Sequence, residues 1–406
     1  MSATKWSSAL LACLAAPVLL SGQIGSKAIP DRPPADTRPI ALAKPRVAPL
    51  PEAQWTAAQK ELAATFSRDG RADNQLRTLL NVPEIVEGAL PVTIYLTEES
   101  TLSPRHRELL ILRTAWLCGS QPLWAKHAAR ARGAGLSPDE LRRIAQGPDA
   151  AGWAPFEKTL LQAADQLYRN SSVNDATWKS LSAQYDLEHL MDAVETVNHF
   201  TFLALLYNSI GVQPDEGLAD RLPANIAYRI NVPNPEPALT VARVDPNPGP
   251  GIAVGRTFAR HAKLNQPRSR RSNYINRVSP LSPRHREMLI LRIGWDCQSE
   301  YEWAQHVGTV GRARDHGADP MLIARGPDAP GIDPFDAAIL RSADELYRDA
   351  IVSDKTWSAL GARFDVKSLM SAVYTVASYR ATSMSLRTYG VQLDPNDERF
   401  PRMDSR

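Results

Sequence analysis

The chain repeats itself at a fixed offset of 179 residues. "LSPRHRE" stands at Leu102–Glu108 and again at Leu281–Glu287. Without a gap, Cys118 answers to Cys297, His127 to His306, Trp178 to Trp357, and "GPDA" at Gly147 to "GPDA" at Gly326. The match extends from Arg77-Thr78 against Arg256-Thr257 to Gly211-Val212-Gln213 against Gly390-Val391-Gln392. A unit this long is a domain, far above the roughly 20–50-residue period of a solenoid. The chain must therefore build one fold twice. We place the units at 53–215 and 249–394, joined by a 216–248 linker and followed by a 395–406 tail. At 406 residues and 43% apolar content, two cores of ordinary size are affordable.

Each unit reads as helical. Ser103 and Ser282 suit N-caps, with Pro104 and Pro283 in the first helical position. Apolar residues then recur at helical spacing, and Gly133, Gly147 and Gly211 mark helix ends. Six helices follow from residue 103, the sixth long and apolar on more than one face. Only the connector, with "YRINVP" at Tyr228 and "ALTVARV" at Ala238, has stretches able to pair briefly as strands. The fold class is all-α: two tandem helical bundles, with a single chain expected to be a pseudo-dimer.

A net charge of +3, evenly spread, gives no reason to expect a nucleic-acid partner. The one dense basic run, "RSRR" at Arg268–Arg271, sits beside Pro and Asn residues and reads as a solvated loop. Lys5, the apolar run Ala9–Leu20 and the small residues to Ala28 follow the order of a secretory signal peptide. Residues 1–28 are thus expected to be removed, leaving a periplasmic or secreted protein with no membrane segment. "LLAC" at Leu10–Cys13 also resembles a lipoprotein signal, but the apolar run continues past Cys13. Residues 29–52 are Pro-rich and read as an extended tether. Cys118 and Cys297, equivalent and so expected to lie far apart, are read as two reduced, buried thiols.

Acid–base residues recur at fixed spacing. In the second unit these are Glu287, Ser299, Glu302 and His306, with Trp303 adjacent. Glu302 and His306 stand four apart and share a helix face, so the carboxylate can orient the ring and raise its pKa. The first unit keeps Glu108, Ser120, Trp124 and His127 but has Leu123 in place of Glu302, which marks it as the degenerate copy. Arg105 and Arg284 offer a guanidinium fork for a carboxylate, or merely begin a solvated helix. A metal site is weakly supported, with one His per set and no close second. We expect no metal and no cofactor.

The ordered set "LSPRHRELLILR", Trp, Ser, Trp, His, "GPDA", "YD" and the terminal Asn-x-x-Gly-Val resembles the carboxymuconolactone decarboxylase family, related to the alkylhydroperoxidase D-like proteins. The resemblance covers both units and implies an alkylhydroperoxidase D-like bundle in each. The peroxidase branch places a Cys-x-x-Cys where this chain has Ser120 and Leu123, or Ser299 and Glu302, so the redox pair is missing. What remains is like the decarboxylase branch and implies a cofactor-free carbon–carbon lyase acting on a small carboxylated lactone or carbonyl compound. His306 with Glu302 would be the acid–base group, Glu287 would position it, and Ser299 would donate to the oxyanion. Arg284, Arg105, Trp303 and Trp124 would contact substrate. The alternative is a non-catalytic binding or scaffold protein. Family members form rings, which implies a homo-oligomer, with three chains closing six units.

Overall fold

The computed structural model describes residues 42–67, 70–223, 225, 226, 228 and 237–403, so the signal-peptide reading lies outside the described residues. It is all-helical. The first unit has α1 (Ala57–Phe66), α2 (Asn74–Leu79), α3 (Pro83–Ile94), α4 (Pro104–Leu117), α5 (Gln121–Gly133), α6 (Pro138–Gln146), α7 (Pro155–Asn170), α8 (Asp175–Ser182) and α9 (Leu187–Ile210). The second has α10 (Ala253–Phe258), α11 (Ala262–Asn273), α12 (Pro283–Asp296), α13 (Glu300–Val307), α14 (Pro320–Arg325), α15 (Pro334–Asp349), α16 (Asp354–Gly361) and α17 (Val366–Tyr389). Displaced by 179, the bounds of α2, α3, α4, α7, α8 and α9 coincide with those of α10, α11, α12, α15, α16 and α17. Among the described residues no helix is long and apolar enough to cross a membrane.

The caps are those the residues call for. Ser103 Oγ accepts from His106 N, Ser282 Oγ from His285 N, and Ser137 closes a capping box with Glu140. The doubled "LSPRHRE" docks α4 on α7 and α12 on α15. Arg105 pairs with Glu140 and, at 2.6 Å, with Glu157; Arg284 forks onto Asp336 at 2.7 and 2.6 Å. The two rings His106 and His285 pack on Phe156 and Phe335. "GPDA" has a matching role: Gly147 and Gly326, at φ 97° and 86°, end their helices beneath buried Arg113 and Arg292. A Cβ at either glycine would lie 2.9 Å from the guanidinium.

The two units interlock through equivalent elements, α9 on α17 and α3 on α11. Bonds cross in reciprocal pairs, as a two-fold axis requires. Val173 N donates to Thr388 Oγ1 and Val352 N to Ser209 Oγ, both pairs being 179 apart. Arg46 Nη2 bonds Asp354 while its guanidinium lies over Trp357; Arg243 does the same with Asp175 and Trp178.

Three expectations need correcting. Residues 46–50 are no free tether: Arg46 and Val47 donate to Ile210 O, and Leu50 donates to Arg77 O. "ALTVARV" forms no strand, and Arg243 and Val244 instead donate to Tyr389 O, while "YRINVP" beyond Tyr228 lies outside the described residues. "RSRR" is not a solvated loop. It lies in α11, where Arg268 and Arg271 are buried over Phe258 and Phe202, with Glu195 supplying negative charge. Helices α1–α3, α10 and α11 precede the six read from each unit, and among the described residues α1 has no helical counterpart in the second unit.

Candidate functional site

Each unit carries a buried histidine on the helix after its "RHRE" helix. His127 Nδ1 lies 2.8 Å from Glu108 Oε2, and His306 Nδ1 lies 2.7 Å from Glu287 Oε2. An aromatic edge meets each ring at 5.0 Å, from Phe200 in the first unit and Tyr379 in the second. The second unit adds Glu302 Oε1 at 3.0 Å from His306 Nε2, the i,i+4 contact expected from spacing. Both ring nitrogens of His306 are therefore taken. Burial alone would hold His306 neutral, but Glu287 and Glu302 outweigh it and raise the ring to about 9. His306 is an imidazolium clamped between carboxylates.

In the first unit Leu123 cannot bond the ring. Burial prevails over Glu108, with Arg130 and Lys126 adding to it, and His127 titrates below its ordinary value. A neutral imidazole beside a carboxylate must donate from Nδ1, because a carboxylate only accepts. Nε2 is then a bare lone pair, and no partner for it stands among the described residues. His127 lines a cavity of about 60 Å³, together with Leu123, Lys126, Arg130, Thr93 and Phe66.

The backbone separates the sites further. Helix α5 runs on to Gly133, whereas α13 stops at Val307 and the chain folds back, with Val310 N and Gly311 N donating to Gln305 O. Gly311 thereby lies on the Glu287–His306 pair. A Cβ there would overlap the carboxylate and sit 2.7 Å from His306 Nδ1, so only glycine fits.

The remaining expected residues do not gather at either imidazole. Ser120 and Ser299 begin α5 and α13, both buried with an Oγ lacking a hydrogen-bond partner among the described residues. Ser299 lines a separate cavity of about 560 Å³ between the units, with Glu300, Tyr301 and Arg387. Trp303 packs on Trp295 and Phe400, and Trp124 is buried. Arg105 and Arg284 are engaged by the acidic residues of neighbouring helices and are not free forks. Their neighbours Arg107 and Arg286 do approach the site, at 3.8 and 3.0 Å from Glu108 and Glu287, and Arg130 lies 3.6 Å from Glu108. Cys118 and Cys297 are free and buried, and burial pushes the thiols up to about 12 and about 11. Among the described residues no cluster of three or more His, Cys, Asp or Glu is placed to hold a metal.

Sequence reasoning missed Thr93 and His199. Thr93 lines the His127 cavity, and its Oγ1 lies 2.8 Å from His199 Nε2. Nothing in local spacing links residues 106 apart. It also missed a buried cluster across the units, in which Asp192 accepts from Tyr95 Oη, Thr101 N and Thr101 Oγ1, with His261 Nε2 at 3.1 Å.

Residues 83–166, which include Glu108, Ser120, Leu123 and His127, match the model of the carboxymuconolactone decarboxylase family. Similar solved structures include the alkylhydroperoxidase AhpD core of an uncharacterized peroxidase-related protein from Ralstonia eutropha JMP134. It is 19% identical with a TM-score of 0.38, covering 43% of this chain and 96% of that one. An uncharacterized peroxidase-related protein from Silicibacter sp. TM1040 is 17% identical with a TM-score of 0.37, covering 46% of this chain and 97% of its own. A search of curated proteins finds no match.

Proposed function

We propose, from the match of residues 83–166 to the carboxymuconolactone decarboxylase family and from the open imidazole of His127, that the first unit holds the acid–base site of a cofactor-free lyase. Its substrate is a small carboxylated lactone or carbonyl compound. The observation that carries this is the bare Nε2 of a neutral, Glu108-oriented His127 on a cavity lined also by Lys126 and Arg130. Lys126 is paired with Asp73, itself in the lining, and Arg130 with Glu98, so an anionic ligand takes the place of one of those carboxylates. The assignment moves from the second unit to the first, because Glu302 occupies the ring nitrogen that Leu123 leaves open.

Loss of carbon dioxide from a carboxylate consumes one proton. The electron pair of the breaking carbon–carbon bond passes into the adjacent carbonyl, giving an enolate. His127, charged at Nε2 as the anion binds, returns that proton to carbon and becomes neutral again, while Glu108 steadies the imidazolium. Solvent then recharges the ring. Peroxidase chemistry is disfavoured, since Ser120 and Leu123 stand at the cysteine positions and the two thiols are buried.

The second unit favours another reading, a structural partner, on the observation that both nitrogens of His306 are bonded. Carbon dioxide release from unsaturated lactone acids and β-keto acids tests the proposal. His127→Ala should cost about 10²–10⁴-fold, the usual worth of a general acid–base group, with His306→Ala leaving folded protein active. Equal losses from the two variants would sink the assignment to the first unit.

A further inference from the structure

A second histidine stands behind the wall of the His127 cavity. His199, on α9, is fully buried, and its Nε2 lies 2.8 Å from Oγ1 of Thr93, a residue lining the cavity. Phe200 stands between the two imidazoles, its edge meeting His127 at 5.0 Å and His199 at 5.7 Å. The second unit has Ser272 and Ser378 at these positions, so the pair occurs only where the catalytic imidazole is open. Burying an imidazole with one unpaired nitrogen costs stability that a leucine would not.

Burial, reinforced by the nearby charge of Arg271, holds His199 neutral, so one nitrogen carries the proton. Its Nδ1 has no hydrogen-bond partner among the described residues. Orphaned buried N–H groups are rarer than orphaned acceptors, which assigns the proton to Nε2. Nε2–H then donates to Thr93 Oγ1. The Thr93 hydroxyl proton keeps only a 3.5 Å contact to Ala89 O and is available to the cavity.

On the His127 reading above, we propose that Thr93 is a catalytic residue. It donates a hydrogen bond to the substrate oxygen that takes up charge as the enolate forms, and His199 is the positioning residue that aims it. This is the donor role that the family resemblance implied for Ser299, which lines a different cavity. A hydroxyl fixed from behind needs no reorganisation when the charge develops.

The test uses the full chain with 15N-labelled histidine and oxalate, a planar dianion resembling an enolate carboxylate. Oxalate should shift the Nε2 resonances of both His127 and His199. Thr93→Val should remove the His199 response, keep the His127 response, and weaken oxalate binding about 10- to 100-fold, the worth of a hydrogen bond to a charged group. Thr93→Ser should restore both. A silent His199 in the unaltered protein, or unchanged oxalate affinity in Thr93→Val, overturns the role of Thr93 and leaves the His127 site standing. Silence at both histidines overturns the two together, since the cavity then takes no carboxylate.

Discussion

His127 and His306 lie 179 residues apart at matching places on matching helices, and they stand in contrasting states. One is a neutral ring with an open nitrogen on a cavity; the other is a charged ring with both nitrogens bonded. The difference comes from one adjacent position, Leu123 against Glu302, and from the helix end that folds Gly311 onto the second site. More acid–base groups at a site do not make it more catalytic. A second carboxylate satisfies the histidine, and a satisfied histidine has nothing left to offer a substrate.

That contrast breaks first under loss of a ring. His306→Ala leaves two carboxylates, Glu287 and Glu302, together in the interior with Arg286 3.0 Å from Glu287, and losing one partner of a buried charge set costs about 3–5 kcal/mol. His127→Ala leaves a single carboxylate, Glu108, with two arginines, Arg107 and Arg130, at 3.8 and 3.6 Å. Urea midpoints should therefore fall much further for His306→Ala, and similar falls would show that the two sites bear charge alike.

The next effect is on stability against pH. His306 is raised in the folded state from 6.5 to about 9. Its contribution is fully present below pH 6.5 and is lost as pH rises through about 9. At 1.36 kcal/mol per unit the loss is on the order of 3 kcal/mol. The unaltered protein should lose stability across that window, and Glu302→Leu should flatten the loss.

The smallest effect is the most specific. Glu302→Leu copies the first unit into the second and should lower the His306 pKa by a unit or more, about 1.4 kcal/mol. The reverse change, Leu123→Glu, should raise the His127 pKa. Histidine titration by NMR reads both. An unmoved His306 in Glu302→Leu would show that Leu123 and Glu302 are not what divides the sites.

Much of this was legible in sequence. The duplication, the caps at Ser103 and Ser137 and the Glu302–His306 contact follow from spacing, because each is local or repeated. The first unit's longer opening stretch was missed, though the sequence holds it. "RVAPLP" at Arg46 and "RVDPNP" at Arg243 stand 197 apart, 18 more than 179, and α1 with its Phe66 lies within the longer stretch. The buried arginines of "RSRR" were hidden because their partners, Phe258, Phe202 and Glu195, come from other helices. Thr93 and His199 were hidden for the same reason. Which nitrogen of a histidine is free is a property of the packed fold, and no spacing rule reports it.

The two histidines differ in charge within one molecule, His127 neutral and His306 an imidazolium. Resonances of 15N-labelled histidine, assigned through His127→Gln and His306→Gln, read both charge and tautomer. The account predicts that His127 at neutral pH is uncharged, protonated at Nδ1 and bare at Nε2, and takes up its second proton only below 6.5. It predicts that His306 remains an imidazolium until about pH 9. Two histidines titrating together, or a charged His127 beside a neutral His306, would contradict it.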